Sequence, residues 1–82
     1  MILYESKYGT YRYSLSLDKY RCENSSIYYR YWNEPDECDY ILKKPIQVWL
    51  RDIIGDQNYQ AWTGQISFIK KEDAMLFKLM WS

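Results

Sequence analysis

The chain of 82 residues contains no histidine, which removes the commonest general acid–base group and every Ser-His or Cys-His nucleophile arrangement. Its three glycines, Gly9, Gly55 and Gly64, stand singly. No glycine-rich loop is therefore present to cradle a phosphate, and nucleoside-triphosphatase or dinucleotide chemistry is excluded by motif. Cysteine is limited to Cys22 and Cys38, sixteen positions apart, and two thiols without histidine make a structural zinc site only with carboxylates, a rare arrangement. No apolar run approaches the length of a membrane span. The opening Met-Ile-Leu-Tyr-Glu reaches a charge at position 5 and has no apolar signal region. These absences predict a cytoplasmic protein with two free thiols and no contact with membrane. The formal net charge is zero and the pI about 6.2, so no excess of base is available to hold nucleic acid by phosphate neutralisation.

What the chain has is rings. Aromatic residues make up 20%, with ten tyrosines and four tryptophans, and hydrophobic residues 48%, which is incompatible with disorder. The length allows one domain, residues 1–82, with a small core supplied largely by aromatic side chains. Charge is unevenly placed. Residues 1–32 carry five basic and three acidic groups, residues 33–42 none and four, and residues 43–82 six and four. An acidic block thus divides two weakly basic halves.

One stretch has a clear helical period. From Pro45 to Gly55 the apolar residues Ile46, Trp49, Leu50, Ile53 and Ile54 follow the i, i+3, i+4, i+7, i+8 series and share a face. Proline suits the first turn and glycine the stop, although Lys44 is a poor N-cap. Strand periods govern most of the rest. Ile2 to Tyr8 is short and β-rich. Thr10 to Leu17 alternates strictly, with Tyr11, Tyr13, Leu15 and Leu17 inward and Thr10, Arg12, Ser14 and Ser16 outward. Asp18 to Ser26 reads as a loop with a helical turn near Lys19 to Cys22.

Ile27 to Trp32 is a strand with Ile27, Tyr29 and Tyr31 on one face and Tyr28, Arg30 and Trp32 on the other, and Asn33 to Asp39 is a charged loop. Tyr40 to Leu42 adds a short strand or an anchor. Gln65 to Lys70 is a strand, and the alternation of Met75, Phe77, Leu79 and Trp81 predicts a closing strand after a turn of helix at most. The expected fold class is α+β: an antiparallel sheet of four or five strands with one amphipathic helix packed on one face.

The carboxylates Glu34, Asp36, Glu37 and Asp39 lack the glycine and terminal glutamate of a calcium loop and read as a solvated surface. Cys38, between Glu37 and Asp39, has its thiolate disfavoured by two negative neighbours. Neither enzymatic activity, nor a catalytic residue, a metal or a cofactor is expected. The feature that points to function is tyrosine interleaved with arginine. Tyr28, Arg30 and Trp32 form one row, expected to be exposed with Ile27, Tyr29 and Tyr31 turned inward, and Arg12 extends it if the Thr10 strand is adjacent. Such a row supports a protein-binding hot spot, with Glu34, Asp36 and Glu37 as its acidic flank, or a stacking platform for a nucleotide or single-stranded RNA. It equally supports a homodimer surface, or rings that only cover the second face of a small sheet.

The closing residues Asp73-Ala74-Met75-Leu76-Phe77-Lys78-Leu79-Met80-Trp81 resemble the last strand of small accessory proteins of virulent tailed phages. Those proteins often end in an acidic residue, Asp-Ala, two apolar positions, Phe-Lys-Leu and a tryptophan one residue on. The resemblance covers about a ninth of the chain and carries no catalytic residue across. It implies a short intracellular protein that binds a host protein, including a defence component, and inhibits or redirects it.

Overall fold

A computed structural model of the chain describes residues 1–22, 24–34 and 37–81, and the side chains of all of these but 32–34, 37 and 38. The fold is α+β, with two antiparallel sheets and two helices. The larger sheet has the order β1-β2-β6-β5, built from β1 (Leu3–Glu5), β2 (Tyr13–Ser16), β5 (Tyr59–Trp62) and β6 (Gln65–Phe68). Among the described residues the strands β3 (Tyr28–Glu34) and β4 (Glu37–Leu42) pair only with each other. A 3-10 turn, Asp18–Tyr20, follows β2 where the sequence predicts a helical turn.

The alternation in β2 sorts the larger sheet into two faces. Leu15 and Leu17 are fully buried, Tyr13 packs beside them, and the register sets Leu15 opposite Ile66 and Tyr13 opposite Phe68. The other face is polar. There Ser14 Oγ and Ser67 Oγ share a 2.7 Å hydrogen bond between the two central strands, and Gln65 donates to Ser67 at 3.3 Å.

The helical stretch runs as α1 (Lys44–Trp49) and continues as a π turn, Leu50–Ile54. It starts without a side-chain cap, as the sequence predicts; instead the backbone N–H groups of Ile46 and Gln47 donate to Lys43 C=O. It stops at Gly55, whose φ of +96° is in the glycine-favoured region, and Asn58 Nδ2 donates to Ile54 C=O at 2.8 Å. The expected apolar face is corrected at one position. Ile46, Leu50 and Ile54 are buried and Trp49 half-buried, but Ile53 is 58% exposed. Four steps of an α-helix overshoot one turn and four steps of the wider π turn fall short of it. The two offsets cancel, which lines up Ile46, Leu50 and Ile54 and rotates Ile53 outward.

The larger correction is at the end of the chain, where Lys71–Trp81 is helix α2 and not a closing strand. Seven of the eight residues from Ala74 to Trp81 are apolar, so alternation and helical spacing fit equally and neither period decides. Propensity leans to helix, since Ala, Met, Leu and Lys are strong helix formers and Glu72 and Asp73 suit the positive end of the helix dipole, and packing on β2 and β6 settles it. Ala74 and Phe77 enter the core, and α2 lies against β2 and β6. Phe77 meets Phe68 at 5.8 Å between ring centroids, and Trp49 meets Phe77 at 6.0 Å and Trp81 at 6.1 Å. Ile46, Leu50 and Ile54 join the same core, so two helices contribute to it where the sequence reading has one. The segment that carries the phage resemblance is a helix, not a strand.

Candidate functional site

The pair β3–β4 forms a hairpin arm, so the loop expected from Asn33 to Asp39 is largely strand, with residues 35 and 36 outside the described residues. The arm is anchored at its base. Ser25 Oγ accepts from the backbone N–H of Ile27 and of Tyr28, both at 3.1 Å, which fixes the entry of the chain into β3. Lys43 N–H donates to Ile27 C=O at 2.9 Å and closes the hairpin from the other side.

Tyr28 is the pin. Only 3% exposed, its phenol oxygen accepts from Gly64 N–H at 3.0 Å and donates to Trp62 C=O at 3.4 Å, joining the arm to the β5–β6 turn. Its ring meets Tyr40 edge-on at 6.4 Å. Burial pushes the phenol above its ordinary range, against the opposing pull of the Gly64 N–H. Gly64 is constrained in turn. It has φ of +87°, its C=O accepts from Leu17 N–H at 2.7 Å, and a Cβ there would stand 2.5 Å from Asp18 Oδ1. That same carboxylate oxygen holds Arg21 at 2.9 Å.

Beyond Tyr28 the arm leaves the body. Tyr29 and Tyr31 are 44% and 48% exposed on one face, opposite Ile41 and Asp39, while Arg30 is exposed on the other face, opposite Tyr40. Between Tyr28 and Leu42 the arm carries one basic and four acidic residues, a net charge of −3. The remaining ten basic and seven acidic residues give the rest of the chain +3.

The row Tyr28, Arg30, Trp32 is therefore divided. Tyr28 belongs to the core, and its expected exposure is corrected; Arg30 is exposed as expected. Tyr29 and Tyr31, assigned inward on the sequence, are the exposed pair. The reason is that Ile27 and Tyr28 are both buried, one on each side of the strand where it enters the body, whereas Tyr29, Arg30 and Tyr31 stand exposed farther out. Trp32, Glu34 and Glu37 lie on the arm by their backbone, while their side chains and all of Asp36 lie outside the described residues.

Arg12 does not extend the row. It stands in the segment before β2, where its Nε donates to Gly9 C=O at 3.0 Å, and β2 pairs with β1 and β6, not with β3. A signal for the arm was available in the sequence: two β-rich runs separated by a short acidic segment are hairpin-like.

Cys22 is a free, exposed thiol, and the Cys38 side chain lies outside the described residues. Among the described residues no group of three or more Cys, Asp or Glu is placed to hold a metal ion. Among the described residues no helix is long and apolar enough to cross a membrane. Compared with family models, curated proteins and solved structures, the chain matches none.

Proposed function

We propose that the chain is a non-enzymatic binding protein whose β3–β4 arm contacts a partner protein with a basic surface. The observation that carries this reading is the exposure of Tyr29 and Tyr31 together on a firmly anchored arm of net charge −3. Tyrosine brings large contact area at low entropic cost, and a rigid base means that little order is lost on binding. The acidic flank favours a basic partner and speeds encounter with it. The same charge opposes the alternative of stacking a nucleic acid on these rings, because each phosphate would approach carboxylates. A host protein, the partner class implied by the phage resemblance, is the proposed target.

The test is recovery of partners from host cells by the tagged chain and by its Tyr29→Ala/Tyr31→Ala variant, with rising salt. Binding is expected to fall by about 2 kcal/mol or more in the variant, the size of a hot-spot loss, and to weaken with salt. Equal recovery by both chains would exclude the arm. Nuclease-sensitive recovery would favour nucleic acid.

A further inference from the structure

The spacing of the tyrosine pair on the arm is set by the strand. Tyr29 and Tyr31 lie two residues apart on one face of β3, and an antiparallel strand rises about 3.4 Å per residue, so the two side chains leave the backbone about 6.8 Å apart. A flat group in van der Waals contact with a ring on each side needs about 7 Å. Both rings are about half exposed, and among the described residues no other ring is stacked on either. The strand period thus makes the two rings the walls of a slot one planar group wide.

The charge beside the slot comes from β4. Lys43 N–H donates to Ile27 C=O, and bonded pairs alternate along an antiparallel ladder, so Tyr31 and Asp39 form a hydrogen-bonded pair with Cα atoms about 5.5 Å apart. Paired residues project from the same face, which sets the exposed Asp39 beside Tyr31 and diagonal to Tyr29, within reach of both. The other charges are farther away or balanced. Lys43 shares the face but stands opposite Ile27, three residue steps from the middle of the slot against one for Asp39, or about 10 Å along the strand, beyond the screening length of about 8 Å. Arg30 is on the opposite face. At the base of the arm, beside Ile41, Lys44 and Arg51 are matched by Asp52 and Asp56.

We propose, resting on the reading of the arm as a protein-binding surface, that this slot takes an arginine side chain of the partner protein. The guanidinium lies flat between the rings of Tyr29 and Tyr31 and turns its N–H edge to the Asp39 carboxylate. The chemistry selects arginine over lysine, because a guanidinium is planar, stacks on aromatic faces and offers paired donors to a carboxylate, whereas an ammonium is a compact and more strongly hydrated charge.

The probe is a capped pentapeptide, Ser-Gly-Arg-Gly-Ser, titrated into the full chain and followed by nuclear magnetic resonance at the ring protons of Tyr29 and Tyr31 and at the arginine side chain of the peptide. The tyrosine ring protons are expected to shift, and the arginine methylene protons next to the guanidinium to move upfield. Replacing the arginine by lysine is expected to weaken binding about threefold, and replacing it by citrulline, which is planar but uncharged, about tenfold. Asp39→Asn and Tyr31→Leu are each expected to weaken binding of the arginine peptide about threefold, and Tyr31→Phe, which keeps the ring, to leave it unchanged.

If a variant does not fold, the three peptides decide alone. The proposal is overturned if no resonance of Tyr29 or Tyr31 moves, if the lysine or citrulline peptide binds as tightly as the arginine peptide, or if adenosine monophosphate binds these rings more tightly than the arginine peptide does. The last result would make the slot a base-stacking site. Should one of these results accompany a loss of host-protein recovery in Tyr29→Ala/Tyr31→Ala, the arm binds protein without an arginine slot; equal recovery would remove both readings.

Discussion

The chain uses the tripeptide Tyr-Arg-Tyr twice, and the two copies have different fates. In the body, Tyr11 is half-buried with its hydroxyl donating to Gln57 C=O at 3.2 Å, Tyr13 packs on the core, and Arg12 alone is exposed. In the arm, Tyr29, Arg30 and Tyr31 are all exposed. Alternation assigns side chains to faces in both copies; only the presence of a second layer turns a face into a core. Near Tyr13 that layer includes α2, which lies against β2, whereas Tyr29 is 44% exposed on the arm. The same ring stabilises the fold in one place and remains free for contact in the other.

The largest effect should come from removing the layer that distinguishes the two regions. Phe77 is fully buried between Phe68 and Trp49, so Phe77→Ala is expected to cost about 3 to 5 kcal/mol through the cavity it leaves. Chemical denaturation measures the loss. In a domain this small it takes most of the stability, and a cost below about 1 kcal/mol would mean that α2 is not a core element.

Cutting the link between body and arm should cost less. Gly64→Ala combines a left-handed φ with a Cβ driven against Asp18, for an expected loss of about 1 to 3 kcal/mol. A glycine-like tolerance there would show that the turn does not hold the arm as described.

Tyr28→Phe leaves the ring and deletes the hydroxyl, stranding the buried Gly64 N–H at an expected cost of about 1 to 3 kcal/mol, with the lower end expected if water replaces the hydroxyl. This variant also sharpens the comparison through pH. The folded-state pKa of Tyr28 is raised by burial above the unfolded value, so its contribution is fully present below about pH 10 and is lost as pH rises through the folded pKa. Tyr59 is shifted in the same direction by burial. Stability measured from pH 8 to 11 should therefore fall at the alkaline end, less steeply in Tyr28→Phe; identical slopes would remove Tyr28 as a cause.

The smallest effect on folding is expected at the arm. Tyr31→Ala should change stability by no more than about 0.5 kcal/mol, as substitutions on uncovered surfaces do. A loss comparable with that of Tyr28→Phe would show that the arm face is covered in solution, by a second copy or by the body.

Several parts of this protein were legible without the fold. The faces of β2, the glycine stop at Gly55 and the general α+β class each follow from local chemistry: a period of two, a positive φ, and one amphipathic stripe that needs a sheet. Excluding histidine-dependent chemistry needed only composition. Other parts required tertiary structure. Ala74 to Trp81 is apolar at nearly every position, so strand and helix patterns coincide, and packing against β2 and β6 selects the helix. Ile53 is turned outward by a π turn that spacing at the α-helical period does not anticipate. Tyr28 and Tyr29 exchange the roles that alternation assigned, because burial depends on what lies above a face, and that is set by the placement of distant Gly64 beside Tyr28. The sequence determined which residues share a face; contacts between residues far apart in the chain decided which of those faces meet water.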